Sequence, residues 1–528
     1  MQPVLTAEAM RAADRFAIET LGIPGFTLME SAGRAAADRI EATFGPLAGK
    51  TVACFCGKGN NGGDGFVVAR ALYARGARVR VVAMSAPEAM SEDAARNWHL
   101  LEHLAQHDVG QRLHLSRFEN LGQATAHPAP GVYVDALLGT GLTNALREPL
   151  RGLVDWLNEQ PQPIVALDVP TGLHSDRGTV LGTAVRADLT VTMGALKAGL
   201  VVGNGPTRSG RIETVDIGIP RFVIDRVREA PGCALLPTEK AIAAWLPRRA
   251  HDAHKYSVGL ALVVGGAPGM TGAPVMASVA AARAGAGFVT CACPASIQPI
   301  LAARLTEVTT LALPVTSDGG IQADGALDTL APRLEKARTL LVGPGLGRHP
   351  DTRRFVHTLL QRAELPVVID ADGLNALAED PDLIARHANG RWILTPHAGE
   401  FNRLIGGEVE VSDRIRAAQT YARAWNCVLI LKGMPGIVGT PDGTAYINAT
   451  GNAALATAGT GDVLAGLCAG LLAQGLAPTH AAVCALHLGG AAADRYARHY
   501  APHTMMATDL LAQLPLVLKE QFSGLHER

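Results

Sequence analysis

At Gly459-Thr460-Gly461-Asp462 a loop of small residues runs straight into the apolar stretch Val463 to Ala473. A helix starting there points several unpaired N–H groups and the positive end of its dipole at one carboxylate. Such a helix start holds a phosphoryl group. Because a carboxylate repels phosphate, its task there is to take a proton from whatever attacks or leaves phosphorus. Asp462 is therefore a candidate catalytic base. The loop alone fits equally well a plain helix cap, where Asp typically contributes about 1 kcal/mol.

Polar oxygen also gathers in the first half of the chain. Gly57-Lys58-Gly59-Asn60-Asn61-Gly62-Gly63-Asp64-Gly65 follows an apolar run and opens a helix. Its first six residues fit G-x-G-x-x-G, but a dinucleotide fold of that kind also places an acid about 20 residues later to hold a ribose. Val82-Ala83-Met84 stands there instead, and the doubled Asn adds side-chain amides to a turn that normally offers only backbone. Asp135 in Val134-Asp135-Ala136-Leu137-Leu138-Gly139-Thr140-Gly141 and Asp168 in Leu167-Asp168-Val169-Pro170-Thr171-Gly172 close two further apolar runs. Each acid alone fits turn chemistry. Together with Asn60 they place three polar strand ends side by side, facing one crevice of a parallel sheet.

The elements that must position these residues read as alternating strands and helices. Helical periodicity runs from about Thr6 to Ile40 with a break at Gly22-Ile23-Pro24-Gly25. Strands are expected at 51–56, 78–83, 132–138, 164–169 and 189–193, with a helix from about Gly65 to Arg75. The second half repeats the beat with strands at 258–264, 288–292, 340–342, 367–370, 393–395 and 428–431. This alternation predicts an α/β chain of two doubly wound domains. Between about Pro220 and Arg249 the beat is lost and prolines accumulate, so the domains are expected at 1–225 and 235–520.

Composition agrees with two full cores: 528 residues, 48% hydrophobic and 18% charged. Lys and Arg total 47 against 48 Asp and Glu, a net charge of -1, and no basic stripe carries interleaved aromatics, so no nucleic-acid partner is expected. The eight cysteines form no C-x-x-C and sit mostly in apolar runs, which predicts reduced, structural thiols and a cytoplasmic protein. No basic start leads into an apolar stretch, so no signal peptide is expected. Residues 256–282 lack charged side chains, but Pro268, Pro274 and their glycines divide them into strand, turn and helix start, and no membrane span is expected.

The first-half motifs, Gly59 to Gly65, Asp135 to Gly141 and Asp168 to Gly172, resemble the epimerase domain of the NAD(P)H-hydrate repair enzymes. The resemblance implies a Rossmann-like three-layer sandwich in which Asn60, Asn61, Gly62, Gly63 and Asp64, with Gly139, Thr140, Gly141, Leu142, Thr143, Asn144 and Ala145, wrap a hydrated nicotinamide dinucleotide. It implies that Asp168 acts near the altered ring, and that potassium is held by Asn60, Asp135 and Thr171. Relatives often carry Ser at the position of Thr171, and the hydroxyl survives.

The second half carries Lys255-Tyr256-Ser257-x-Gly259, Gly265-Gly266, Thr271-Gly272-Ala273, Gly343-Pro344-Gly345-Leu346-Gly347, Asp370-Ala371-Asp372-Gly373-Leu374-Asn375, Thr395-Pro396-His397-x-Gly399-Glu400 and Leu431-Lys432-Gly433 ahead of the Asp462 loop. In that order they resemble the ADP- or ATP-dependent dehydratase domain of the same system, a relative of ribokinase-like kinases. The resemblance implies that Ala273, Gly345, Gly347, His397 and Asp462 meet the hydrated dinucleotide. Lys432, Gly433, Met434, Pro435, Gly436 and Gly461 would meet the nucleotide, with magnesium accompanying ADP or ATP. Phosphorylating the C6 hydroxyl turns a poor leaving group into a good one, with Asp462 taking its proton and the N–H groups of residues 459–461 stabilising the moving phosphoryl. Ala454 and Ala458 stand where relatives tend to carry glycine, and Ala453 and Ala398 stand where proline is common. Losing those glycines matters only where positive φ is needed.

The expected partners are small molecules, hydrated NADH or NADPH and ADP or ATP, with family analogy leaning toward ADP and a homo-oligomer expected. Two rival readings stand beside this one. A ribokinase-type small-molecule kinase needs only the second half, and a non-catalytic ligand-binding module accounts for the first. Turnover of a pure epimer by the first domain separates them from a repair enzyme.

Overall fold

The computed structural model describes residues 1–407 and 413–522. The chain divides into two compact units, Gln2–Ala234 and the residues from Leu235 onward.

In the first unit seven strands form one parallel sheet. Their order is Leu113–Arg117, Arg78–Ala83, Thr51–Cys56, Val132–Ala136, Ile164–Leu167, Leu189–Met193, Arg211–Val215. Side chains alternate between its faces as strand pleating requires. Val52, Cys54 and Cys56 join a core with helices Ala7–Arg15, Gly25–Phe44, Asn60–Ala74 and Glu92–His107. Ala53 and Phe55 join a second core under helix Leu150–Asn158. Both faces are covered, so the doubly wound expectation holds. Sequence order reverses between Thr51–Cys56 and Val132–Ala136, which lie side by side, and such a reversal opens a crevice beyond the strand ends.

In the second unit seven parallel strands run Thr309–Leu313, Phe288–Pro294, Leu260–Val264, Thr339–Val342, Val367–Ile369, Trp392–Leu394, Val428–Leu431. Ile437–Gly439 and Ala445–Ile447 extend the sheet antiparallel. Helices Gly272–Arg283, Thr460–Ala473, Pro478–Ala497 and Ala507–Phe522 share a core with it. Gly466 and Gly470 let helix Thr460–Ala473 lie almost on the backbone of its neighbour: a Cβ at either would stand 2.2 Å from Ala277 O or 2.4 Å from Ala281 O. That contact fixes where the N-terminus of the helix points.

Several boundaries differ from expectation. The helix expected from Gly65 begins at Asn60, so the Asn-Asn-Gly-Gly segment is its first turn and not a loop. The stretch where the strand-helix alternation is expected to lapse holds helices Arg221–Val227 and Glu239–Trp245. A boundary at 225 would fall inside the first of these, whose Val223 and Ile224 are buried in the N-terminal core. All eight cysteines are buried and none is joined in a disulfide. Among the described residues no helix is long and apolar enough to cross a membrane.

Candidate active sites

A cavity of about 530 Å³ opens at the switch point of the first unit. Of the residues expected there, Asn60, Asn61, Asp64, Gly139, Thr140, Gly141, Leu142 and Asp168 line it. Gly62 and Gly63 pack inward instead: a Cβ on Gly62 would meet Gly57 O at 1.9 Å, and one on Gly63 the Met29 side chain at 2.6 Å. Thr143, Asn144 and Ala145 lie exposed on the loop beyond Leu142 and do not border the cavity. Asn61 is buried, yet both atoms of its side-chain amide lack a partner. An unsatisfied buried amide costs about 1–3 kcal/mol, so it marks a position built for a polar ligand.

Asp168 follows strand Ile164–Leu167 with φ +64, a conformation that non-glycine residues seldom adopt outside functional turns. Its Oδ1 accepts from Thr192 Oγ1 and Met193 N, both at 3.3 Å, and pairs with Lys197 Nζ at 2.6 Å. Lys197 also donates to Met193 O at 2.5 Å. Two more carboxyls belong to this group. Burial drives Asp64 well above the usual carboxylate range, and the charge on Asp168 adds to the effect. Burial pushes Asp14 up to about 6, opposed by Lys197 and reinforced by Asp168.

Asp135 does not line the cavity. It is fully buried at the adjoining strand end, where Oδ2 accepts from Thr171 N at 2.8 Å and Oδ1 accepts from Thr171 Oγ1 at 2.7 Å and Leu137 N at 3.2 Å. Burial raises it to about 6 in spite of these bonds. None of its donors is a cation. Thr171 Oγ1 lies 2.7 Å from Asp135 Oδ1 and 3.2 Å from Leu138 O, and hard oxygen donors of this kind suit an alkali cation, which would relieve the buried charge.

In the second unit the ends of three adjacent strands meet. Asp370 Oδ1 accepts from Thr395 Oγ1 at 2.8 Å and from Lys432 Nζ at 2.5 Å, while Lys432 N donates to Pro396 O. Helix Thr460–Ala473 aims its start at this group: a Cβ on Gly461 would stand 3.1 Å from Lys432 Nζ. Gly459, at φ +92, occupies the cap position, and Asp462 lies inside the first turn without a capping hydrogen bond. The capping alternative for Asp462 therefore fails. Burial pushes its carboxyl up to about 7, with Asp370 adding to the rise and Lys432 opposing it. Burial works against the Lys432 ammonium, but Asp370, Glu400 and Asp462 outweigh it and raise its pKa.

Positive φ in the preceding loop is confined to Gly451 and Gly459, so Ala453, Ala454 and Ala458 occupy conformations any residue adopts. Ala273 and Gly345 touch, since a Cβ on Gly345 would lie 3.2 Å from Ala273 Cβ, and Gly347 N donates to Asp372 Oδ2 at 2.9 Å. His397 caps helix Ala398–Ile405: its Nδ1 accepts from Gly399 N at 3.0 Å, which assigns the ring proton to Nε2. The ring is 56% exposed and within reach of a ligand. Met434 is exposed and Gly436 packs on Leu486.

Sequence reasoning missed three residues. Lys197 is a lone charge in the apolar run Met193 to Leu200, and that isolation was its signal. Asp14 borders the buried face of its helix, next to Ala13. Arg414 clamps the expected nucleotide segment by donating to Leu431 O at 2.9 Å, Lys432 O at 3.1 Å and Pro435 O at 2.8 Å; nothing in its local sequence announces this.

Two doubly wound units, one with an acid-and-amide cavity at its switch point and the other with a carboxylate at a phosphate-type helix start, define a two-centre α/β enzyme. Residues 25–199 match the YjeF-related protein N-terminus family and residues 261–516 the NAD(P)H-hydrate dehydratase family. The chain is 57% identical over 524 residues to the bifunctional NAD(P)H-hydrate repair enzyme Nnr of Salinibacter ruber, covering 98% of this chain and 97% of that one. It is 34% identical over 524 residues to the enzyme of that name from Escherichia coli, covering 98% and 94%. Among solved structures, the ADP/ATP-dependent NAD(P)H-hydrate dehydratase of Bacillus subtilis, co-crystallised with ATP and Mg2+, is 31% identical over 55% of this chain and 99% of that one, with a TM-score of 0.45. The chain belongs to the bifunctional NAD(P)H-hydrate repair enzymes.

Proposed function

We propose that the first unit interconverts the R and S epimers of NADH or NADPH hydrated at C6, and that the second dehydrates the S form with a nucleotide as phosphoryl donor. The observation that carries this reading is the placement of Asp462 inside the first turn of a glycine-capped helix, beside the Lys432–Asp370 pair. A carboxylate with a pKa near 7 is matched to taking a proton from a hydroxyl at neutral pH. The N–H groups of Gly459 and Gly461 and the Lys432 ammonium stabilise charge on the moving phosphoryl. A phosphorylated C6 hydroxyl then leaves as phosphate while C5 gives up a proton, which restores the C5=C6 double bond of the dihydronicotinamide.

Magnesium accompanies the ADP or ATP in this reading, as it does for phosphoryl transfer generally. Lys432 to Gly436 and Gly461 run along the nucleotide, with Ala273, Gly345, Gly347 and His397 along the dinucleotide. In the first unit Asn60 to Asp64 and Gly139 to Leu142 receive the hydrated dinucleotide, and Asp168 exchanges protons at C6. Potassium at Asp135, Thr171 and Asn60 fits the cation-free burial of Asp135. Replacing Asp135 with Asn is expected to abolish any potassium dependence of epimerisation, whereas unchanged dependence places the ion elsewhere. A cytoplasmic homo-oligomer completes the reading.

A kinase of the ribokinase type leaves the first unit without a task, whereas the relatives above span both units. The test is phosphate release with hydrated NADH, comparing ADP and ATP. Stoichiometric NADH and phosphate support the reading; a stable phosphorylated product without NADH supports the kinase.

A further inference from the structure

The cavity of the first unit holds more acid than its motifs account for. Asp14, on helix Ala7–Arg15, lines it together with Asp168, Asp64 and Lys197, although it lies outside the motifs that define the site and upstream of the family match at 25–199. Asp14 has no hydrogen bond or salt bridge to occupy it among the described residues, whereas Asp168 is engaged by Lys197, Thr192 and Met193. The charged groups that share the wall with it are Arg11, Lys58, Asp64, Asp93, Asp168 and Lys197.

We propose that Asp14 is the second proton-transfer residue of the epimerase centre, paired with Asp168 across the C6 position of the hydrated ring. The proposal rests on the epimerase reading given above. Inverting C6 needs a proton handled on each face of the ring, and one carboxylate does not serve both. The C6–O bond breaks as the N1 lone pair forms C6=N1, and the hydroxyl leaves as water on a proton from Asp14. Water then adds to C6 from the other face and gives its extra proton to Asp168. One water leaves, one enters, nothing is oxidised or reduced, and the proton carried from Asp14 to Asp168 returns through solvent. In the opposite direction the two residues exchange tasks, as microscopic reversibility requires. Burial lifts the Asp14 carboxyl to about 6, so it can both give and take a proton near neutral pH.

The bland alternative is that Asp14 only balances the charge of the buried Lys197. Three full-length variants separate the two: Asp14→Asn, Asp14→Ala and Asp14→Glu, assayed on the pure R epimer for epimerisation and on the pure S epimer for dehydration. The expected result is unchanged dehydration and retained binding of the R epimer, with epimerisation by Asp14→Asn down at least about a hundredfold. Added formate should restore part of the rate to Asp14→Ala, and Asp14→Glu should keep activity without it. Epimerisation by Asp14→Asn within about threefold of wild type overturns the proposal. So does a loss that neither formate nor Asp14→Glu reverses. A wild-type chain that fails to epimerise sinks both the reading and the proposal, whereas an active wild type beside an unimpaired Asp14→Asn sinks the proposal alone.

Discussion

Lys197 Nζ lies 2.6 Å from Asp168 Oδ1, with the lysine 1% exposed and the aspartate 14%. Burying such a pair is tolerated where the partners meet directly, and Asp64 and Asp14 line the same cavity wall. The pair ties the strand end carrying Asp168 to the segment after strand Leu189–Met193. It also holds Asp168 in its unusual backbone conformation at the cavity wall.

Removing one member leaves the other charge buried and uncompensated. Lys197→Met is expected to destabilise the first unit by about 3–5 kcal/mol, while Lys197→Met with Asp168→Asn loses clearly less. Denaturant unfolding of the single and double variants measures this. A double-variant loss equal to the sum of the two single losses would show that the pair contributes no coupling.

Asp462 titrates near 7 in the folded chain and near its ordinary value of 3.8 when unfolded. Dehydration needs the ionised form, so kcat/KM should fall about tenfold per pH unit below about pH 7. The stability effect has the opposite sense. Between the two values the folded chain binds more protons than the unfolded one, so the contribution of Asp462 is greatest in acid and is lost as pH rises from about 4 to about 7. Asp462→Asn removes that contribution, and its unfolding free energy should fall less steeply than wild type over that window. An unchanged pH slope contradicts the raised pKa.

Arg414 holds three carbonyls of residues 431–435. Arg414→Lys keeps the charge but loses the planar fork, so it should raise KM for ADP or ATP at least about tenfold, with a smaller change in kcat. Unaltered nucleotide kinetics would detach this clamp from nucleotide binding.

A fragment ending at 225 cuts helix Arg221–Val227 and discards Cys233 from the N-terminal core, whereas one ending at 234 keeps both. The longer fragment should unfold cooperatively and the shorter should melt lower and less sharply, as calorimetry will show. Identical melts would mean that the last helix adds nothing to the core.

How far the sequence disclosed this molecule depended on burial. Strands Thr51–Cys56, Leu189–Met193 and Val428–Leu431 match their expected limits, because a central parallel strand covered on both faces reads as an unbroken apolar or β-branched run, and Arg78–Ala83 matches through its valines despite Arg78 and Arg80. Edge strands Leu113–Arg117 and Arg211–Val215 went unseen, since exposed positions admit His, Ser, Glu and Arg. The helix start at Asn60 was masked by Gly62 and Gly63, poor helix formers kept by the tight contacts with Gly57 and Met29. In the sites, residues inside glycine-rich turns announced themselves. Asp14 and Arg414 did not, because each acts from an otherwise ordinary element and gains its meaning only from what the fold brings beside it, and Lys197 showed only as an isolated charge in an apolar run.

The most direct test of the two-centre account follows a mixture of R and S hydrated NADH with ADP or ATP present, at a time when the R form does not epimerise unaided. Wild type should convert the whole mixture to NADH. Asp168→Asn should stop once the S fraction is consumed, and Asp462→Asn should form essentially no NADH while still interconverting the epimers. Complete conversion by Asp168→Asn at the wild-type rate, or Asp462→Asn keeping more than about a tenth of wild-type dehydration, would contradict the account.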